Sequence, residues 1–377
     1  MSAATSRRRP RMLYVQHVDW RWIRQRPQAL AELLGERFDV RVVHRVHPHR
    51  FRYPPNASRL RRLPMLPLPS GLGRRWASLV DAAQRLWVRA GVGRRPDILW
   101  VTFPSVWRAL PRRFRDAHVV YDCMDDALGF AADPARREAL AAAEAELVTR
   151  ASVVLCSSER LRSTLVARFG DAVASKVRVA RNGLASRLLE RLDGTPVAAA
   201  PGPRAGELRL AYIGTIAAWM DFDVLRAALD ADPLLHVDLY GPVEGVPAAH
   251  PRLHYRGVIA HDRLAEVARG ADALVMPFQL TELIRAVDPV KLYEYLSFER
   301  PVITVRYAEV ERFAPLVNFY SDAAGFVAQV AALRAGRLPT PDRRAVRAFL
   351  AANTWERRAA DIGDVLDGML ARARTAA

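Results

Sequence analysis

Lysine is nearly absent from this chain of 377 residues: Lys176 and Lys291 are the only two among 57 basic residues, and the rest are arginine. Cysteine is equally scarce. Cys123 and Cys156 are too few for a disulfide scaffold, have no metal-ligand spacing, and suit a reducing compartment. No uninterrupted apolar run approaches the roughly 20 residues that a membrane-spanning helix needs. Residues 1–11 are basic but contain neither an apolar signal core nor a small-residue cleavage site. A cytoplasmic protein is therefore expected. Glycine-rich phosphate fingerprints are also missing, since no strand-like run leads into a dinucleotide or P-loop pattern. Gly71-Leu72-Gly73 and Gly91-Val92-Gly93 read as turns.

What is present describes a folded globular chain: 51% of residues are hydrophobic and 26% charged. The length fits two domains of ordinary size. The net charge of +17 is unevenly placed, with 21 Arg against 6 Asp or Glu in residues 1–100 and near balance beyond. A basic first domain points to an anionic partner, either a membrane surface or nucleic acid. Arg59, Arg61, Arg62, Arg74, Arg75, Arg94 and Arg95 alternate with Leu, Pro and Trp. A merely solvated arginine-rich surface fits them equally well.

Apolar runs at 12–16, 39–44, 97–102, 117–121 and 152–156 predict buried strands, with helical spacing at 27–34 and 134–150 between them. Residues 51–75, rich in Pro, Arg and Ser, predict an irregular surface excursion. A breaker-rich stretch at 193–206 reads as a linker. Strand signals resume at 208–213, 235–240, 252–255, 273–276 and 301–304. The alternation implies two α/β domains with parallel sheets, covering 1–192 and 207–350, with 351–377 as a helix packing back toward the first. Ligands of such sheets bind at the carboxyl ends of the strands, here in a cleft between the domains.

The strongest local signal runs from Asp288 to Tyr295. Pro289 suits the first turn of a helix, and Lys291 and Glu294, three apart, share a face near its amino end. Free amides there favour phosphate, the lysine adds a compact charge against a diphosphate, and the carboxylate can accept two ribose hydroxyls. In a chain that uses arginine almost everywhere, lysine at this place suggests that a point charge was required. An ordinary surface Lys–Glu pair fits the same residues.

Asp122, Asp125 and Asp126 follow a strand in the first domain. A hydroxyl acceptor needs a general base, a task that suits Asp125 or Asp126; capping of the next turn is the alternative. His17, Asp19, Trp20 and Trp22 follow the first strand, and a mix of aromatic and polar groups suits a sugar acceptor. Asp19 with His17 could also form a catalytic pair. Asp221-Phe222-Asp223 and Asp230-Ala231-Asp232 match a metal-binding Asp-X-Asp by chance within a helical region, so no metal is expected.

Along most of its length the chain resembles glycosyltransferases of the GT-B fold. The matching pieces are Gln25-Arg26-Pro27-Gln28, residues 119–126, residues 154–159 and Arg181-Asn182-Gly183. They continue with Tyr212 to Thr215, Tyr240-Gly241-Pro242, Gly257, residues 271–277, residues 289–296 and residues 353–357. The resemblance is to bacterial enzymes of teichuronic-acid and exopolysaccharide assembly. It implies two facing Rossmann-like domains with a cleft between them, and transfer of a sugar from a nucleotide-diphosphate sugar to a saccharide or lipid-linked saccharide. It also implies that Glu294 binds the donor ribose and Lys291 the diphosphate, that Gly214 and Thr215 approach the leaving group, and that backbone near Val258 holds the base.

The departures are specific. The retaining pattern has a second glutamate where this chain has Ala286, and an Arg and a Lys near Gly214, where neither occurs; Arg285 with Lys291 could replace that charge. A usual His-Asp is here Met124-Asp125. These losses favour inversion, with no cofactor beyond the donor itself. On the acceptor side the expected residues are His17, Asp19, Trp20 and Arg26. The expected setting is cytoplasmic, peripheral on the inner face of the cell membrane. An NDP-sugar epimerase of the same fold, or a non-enzymatic basic nucleic-acid-binding protein, are the alternatives.

Overall fold

A computed structural model describes residues 8–21, 24–46, 57–65, 77–131, 133–193, 206–245, 248–260 and 263–375. Trp22 and nearly all of the expected linker lie outside the described residues. The chain divides into two units, one running to Arg181 and taking back the segment from Trp355 onward, the other spanning Asn182–Thr354. This division falls ahead of the breaker-rich stretch.

The first unit is built on seven parallel strands: β1 (Arg11–Gln16), β2 (Asp39–His44), β3 (Arg61–Pro64), β4 (Ile98–Val101), β5 (His118–Cys123), β6 (Ala151–Cys156) and β7 (Val177–Val179). Their order is β3-β2-β1-β4-β5-β6-β7. Progression reverses at β1, so the switch point lies between β1 and β4, where such sheets gather ligands. Leu99, Trp100, Val119, Val120 and Val154 are fully buried, as expected for strands covered on both faces.

Two expectations fail here. Part of the supposed irregular excursion, Arg61–Pro64, is an edge strand in register with Arg41–His44; its Arg-Arg-Leu-Pro sequence lacks an apolar run, and among the described residues one edge has no strand beside it. Gly91 is no turn residue but lies inside the helix Ala77–Val92, and Gly93, at φ +70°, makes the turn after it. The closing helix Trp355–Thr375 packs on the helix Arg26–Leu34. Arg37 ties the two through Asp364 at 2.8 Å and Asp367 at 2.7 Å.

The second unit has six parallel strands: β8 (Leu208–Ile213), β9 (Leu235–Tyr240), β10 (Leu253–Gly257), β11 (Ala273–Met276), β12 (Val302–Val305) and β13 (Asn318–Tyr320). The order is β10-β9-β8-β11-β12-β13, which puts the switch point between β8 and β11. Asp221 and Asp232 have local duties. Asp221 caps the helix Phe222–Ala231 by accepting from the amides of Asp223 and Val224, and Asp232 pairs with Arg334 at 2.5 Å.

Candidate functional site

Three adjacent strands of the second unit end in glycines: β8 in Gly214, β9 in Gly241, β10 in Gly257. All three have positive φ, at +153°, +145° and +74°, which side chains rarely tolerate. Gly214 donates its amide to the Tyr240 carbonyl at 2.8 Å, and Gly241 donates to Gly257 at 2.8 Å, so the strand ends form a stepped ledge of backbone. Crowding enforces it. A Cβ on Gly241 would lie 1.9 Å from the Gly214 carbonyl oxygen, and one on Gly214 would lie 2.0 Å from Lys291 Cε.

Lys291 comes from the short helix Val290–Leu296 and lies at the switch point itself. Its Nζ sits 5.7 Å from the centre of the Tyr212 ring at the end of β8 and 5.8 Å from that of Phe278 just past β11. Among the described residues no carboxylate forms an ion pair with it. Tyr295, one turn on, holds the helix against β8, accepting from the Ile213 amide at 2.8 Å and donating to the Ile213 carbonyl at 3.2 Å. The residues before the helix are fixed by buried Asp288. It accepts from the Asn182 amide at 2.6 Å and from Arg312 at 2.6 Å, while Asn182 Nδ2 donates to the Asp288 carbonyl at 2.6 Å. Arg312 in turn stacks over Tyr293 and Phe313. Seven residues give a small macrodipole, so the positive charge here is chiefly that of Lys291.

Glu294 is half-buried, and among the described residues its carboxylate has no hydrogen-bond donor. Burial pushes its pKa up to about 7, opposed by Lys291 and by Arg187, a nearby cation that the sequence reading missed. Such a carboxylate lacks donors, and a pair of hydroxyls would supply them. Thr215 is half-buried, and its carbonyl accepts from Tyr212 at 2.8 Å. Val258 is 49% exposed just past the end of β10. Arg285 is exposed at the end of a separate short helix, Glu282–Arg285.

In the first unit the strand ends flanking the switch point carry His17, after β1, and Thr102 and Phe103, after β4. His17 Nδ1 lies 3.0 Å from Thr102 Oγ1, and its ring packs 4.7 Å from that of Phe103. Phe103 meets Phe130 edge-on at 6.4 Å, extending an aromatic wall to the turn after β5. Phe103 and Phe130 were missed because single aromatics after a strand carry no spacing signal.

The three aspartates after β5 separate into different roles. Asp122 is fully buried and gripped by Arg26, whose Nε and Nη2 donate at 3.0 and 2.8 Å, while Arg26 Nη1 donates to the Ala180 carbonyl at 2.6 Å. Arg26, expected on the acceptor side, is therefore buried and committed to holding its helix to β5. Asp126 caps the following turn through the Leu128 amide at 3.2 Å and pairs with Arg168 at 3.2 Å. Asp125 is half-buried, and no hydrogen bond engages its carboxylate among the described residues. Burial lifts its pKa to about 6, against the pull of Arg26 and helped by Asp122 and Asp126. A base poised near neutrality has this character. Trp20 and Asp19 differ from expectation: both are buried, with Arg62 over the Trp20 ring at 5.2 Å and Asp19 accepting from the Arg21 amide at 3.0 Å. They shape the loop and present no open face to a sugar.

Comparison with known proteins bears on the fold. Residues 23–183 match the glycosyl transferase 4-like domain family. TuaH of Bacillus subtilis (strain 168), assigned to teichuronic acid biosynthesis as a glycosyltransferase, is 25% identical over 218 residues, and the match spans 54% of this chain and 54% of TuaH. Among solved structures, sucrose-phosphate synthase from Thermosynechococcus elongatus superposes with a TM-score of 0.71 at 15% identity, over 97% of this chain and 100% of that one. Anabaena HepE in complex with UDP-glucose gives 0.68 at 11% identity, over 95% and 100%. Residues 23–183 are thus similar to a glycosyl transferase 4-like domain, and the two parallel α/β units have the GT-B fold of these solved structures.

Proposed function

We propose that this protein is a glycosyltransferase that moves a sugar from a nucleotide-diphosphate sugar to a hydroxyl acceptor. The observation that carries the reading is Lys291 at the switch point, laid over the glycine ledge, with the undonated Glu294 carboxylate on the same short helix. In this reading Lys291 and the ledge amides take the diphosphate, and Glu294 accepts from the ribose hydroxyls. Gly214 and Thr215 lie along the leaving group, and backbone at Val258 meets the base. Lysine charge and fixed dipoles then stabilise the departing phosphate without reorganisation, and metal is not required.

Asp125 acts as the general base that takes the acceptor proton as the anomeric carbon is attacked from the face opposite the leaving group, which gives inversion. Its raised pKa supports this choice over Asp126, whose carboxylate is engaged. The acceptor is a saccharide or lipid-linked saccharide of cell-surface polysaccharide assembly, a reading supported by the likeness to TuaH. The setting is cytoplasmic, with the arginine-rich first unit against the anionic inner face of the membrane.

The test is thermal stabilisation by a panel of UDP, GDP, ADP and dTDP sugars. UDP sugars come first, because HepE is known bound to UDP-glucose. One responder is expected, with its effect lost in Lys291→Ala. A folded protein that answers none of the panel refutes the reading, and donor consumption without any acceptor would point to the epimerase instead.

A further inference from the structure

The helix Ala77–Val92 has two apolar faces. Gln84, Val88 and Val92 point inward and are buried. Leu79, Ala82, Ala83, Leu86 and Ala90 recur at i, i+3, i+4, i+7 and i+11, which aligns them on one stripe, and all five are exposed. A helix on a soluble surface ordinarily turns polar residues outward. Of the seven large hydrophobics most exposed among the described residues, three lie here: Leu79 at 58%, Leu86 at 67% and Trp87 at 40%. They are therefore a patch and not scattered singles. Trp87 is not loose, since its indole N–H donates to the Pro64 carbonyl at 2.8 Å, which sets the ring beside the stripe.

Beside the stripe runs a groove of about 350 Å³ lined by Arg85, Leu86, Arg89, Pro111, Arg112 and Arg113. Four arginines around a proline and a leucine make a cationic slot without a carboxylate in its lining. Two have backbone partners that fix their direction: Arg85 donates to the Arg108 carbonyl at 3.1 Å, and Arg113 to the Gly93 carbonyl at 2.8 Å.

We propose that this face docks on an anionic phospholipid bilayer, with lipid phosphates in the arginine groove and Leu79, Leu86 and Trp87 entering the interface. Apolar stripe, aromatic and flanking arginines are the parts of an interfacial helix. Each arginine near an anionic leaflet contributes about fivefold in partition. A second copy of the chain is a poorer occupant, because a two-fold pairing of this face brings arginines against arginines. The inference rests on the membrane-presented acceptor for its purpose. Its test needs neither donor nor acceptor, so each reading can fail without the other.

The full chain is floated with vesicles of equimolar phosphatidylglycerol and phosphatidylcholine, and with phosphatidylcholine alone. Binding to the anionic vesicles only is expected. Arg89→Gln with Arg112→Gln, neither in a side-chain hydrogen bond above, should weaken it about 25-fold. Leu79→Gln with Leu86→Gln, both outward, should weaken it at least about tenfold with the circular dichroism spectrum unchanged. Equal binding to both vesicle types, no binding to either, or indifference to the leucine pair overturns the proposal. So does a dimer in sedimentation that the leucine pair dissociates, which would make the face a contact between copies.

Discussion

Replacing Glu294 by Gln is expected to make the protein more stable and less able to hold its donor. Folding raises this carboxyl from the ordinary 4.5 to about 7, chiefly by burial. The folded state therefore binds the proton more tightly than the unfolded one, and stability falls as pH rises from 4.5 through 7. Above pH 7 a shift of that size costs about 3 kcal/mol, which solvent at a half-buried side chain reduces to about 1–2 kcal/mol. Glutamine keeps the shape and removes the charge. At pH 8 Glu294→Gln should raise the melting temperature by about 3–6 °C, with most of the gain gone at pH 5, where the parent carboxyl is largely protonated. Calorimetry on the same samples should show donor affinity reduced about tenfold or more, because hydrogen bonds to a charged acceptor are the strong ones. A variant no more stable than its parent at pH 8, or equally stabilised at both pH values, would refute the burial argument.

Gly214→Ala should displace the Lys291 side chain and strain a φ of +153°, weakening donor binding about tenfold or more by titration calorimetry while the circular dichroism spectrum stays native. An alanine variant with parental affinity would mean that Lys291 does not lie over the ledge when donor binds. Asp125→Asn should lower kcat by about 100-fold or more with donor affinity intact. The parent's kcat/KM should climb with pH and level off above about 6, since a base must be ionised to act. Asp126→Asn keeps an oxygen that can accept from the Leu128 amide, so it should leave the cap in place and kcat near parental; a loss of kcat equal to that of Asp125→Asn would mean that the assignment of the base is wrong.

Strands β8, β9 and β11 are legible residue for residue in the sequence, because continuous apolar runs of that length bounded by breakers have few other uses. Strands β3, β7 and β13 are not. They are only three or four residues long, and all three close a sheet edge, so little apolar sequence marks them. The helix Ala77–Val92 escaped notice because its solvent side is apolar as well, which erases the contrast that periodicity depends on. In the site, Lys291 and Glu294 could be read from spacing and from the rarity of lysine. The ledge could not, since a glycine after a strand says nothing of the strand end lying 1.9 Å from its absent Cβ. Nor could the roles of Asp122, Asp125 and Asp126 be separated. Arg26 is 96 residues away from Asp122 in sequence, and only the turn after β5 decides which neighbour is used as a cap.

The second unit begins at Asn182 and ends at Thr354, and those ends are bonded to each other. The Leu184 amide donates to the Asn353 carbonyl at 2.9 Å, and Leu184 bridges Thr354. The whole second unit is thus an excursion of chain that leaves and returns through one seam. Its ends need no new linker to meet, so the stretch can be produced as a separate polypeptide with its termini already side by side. By the same token, a gene splice at that seam could exchange one second unit for another, which on the proposed function would alter the nucleotide sugar used while the first unit keeps its own fold.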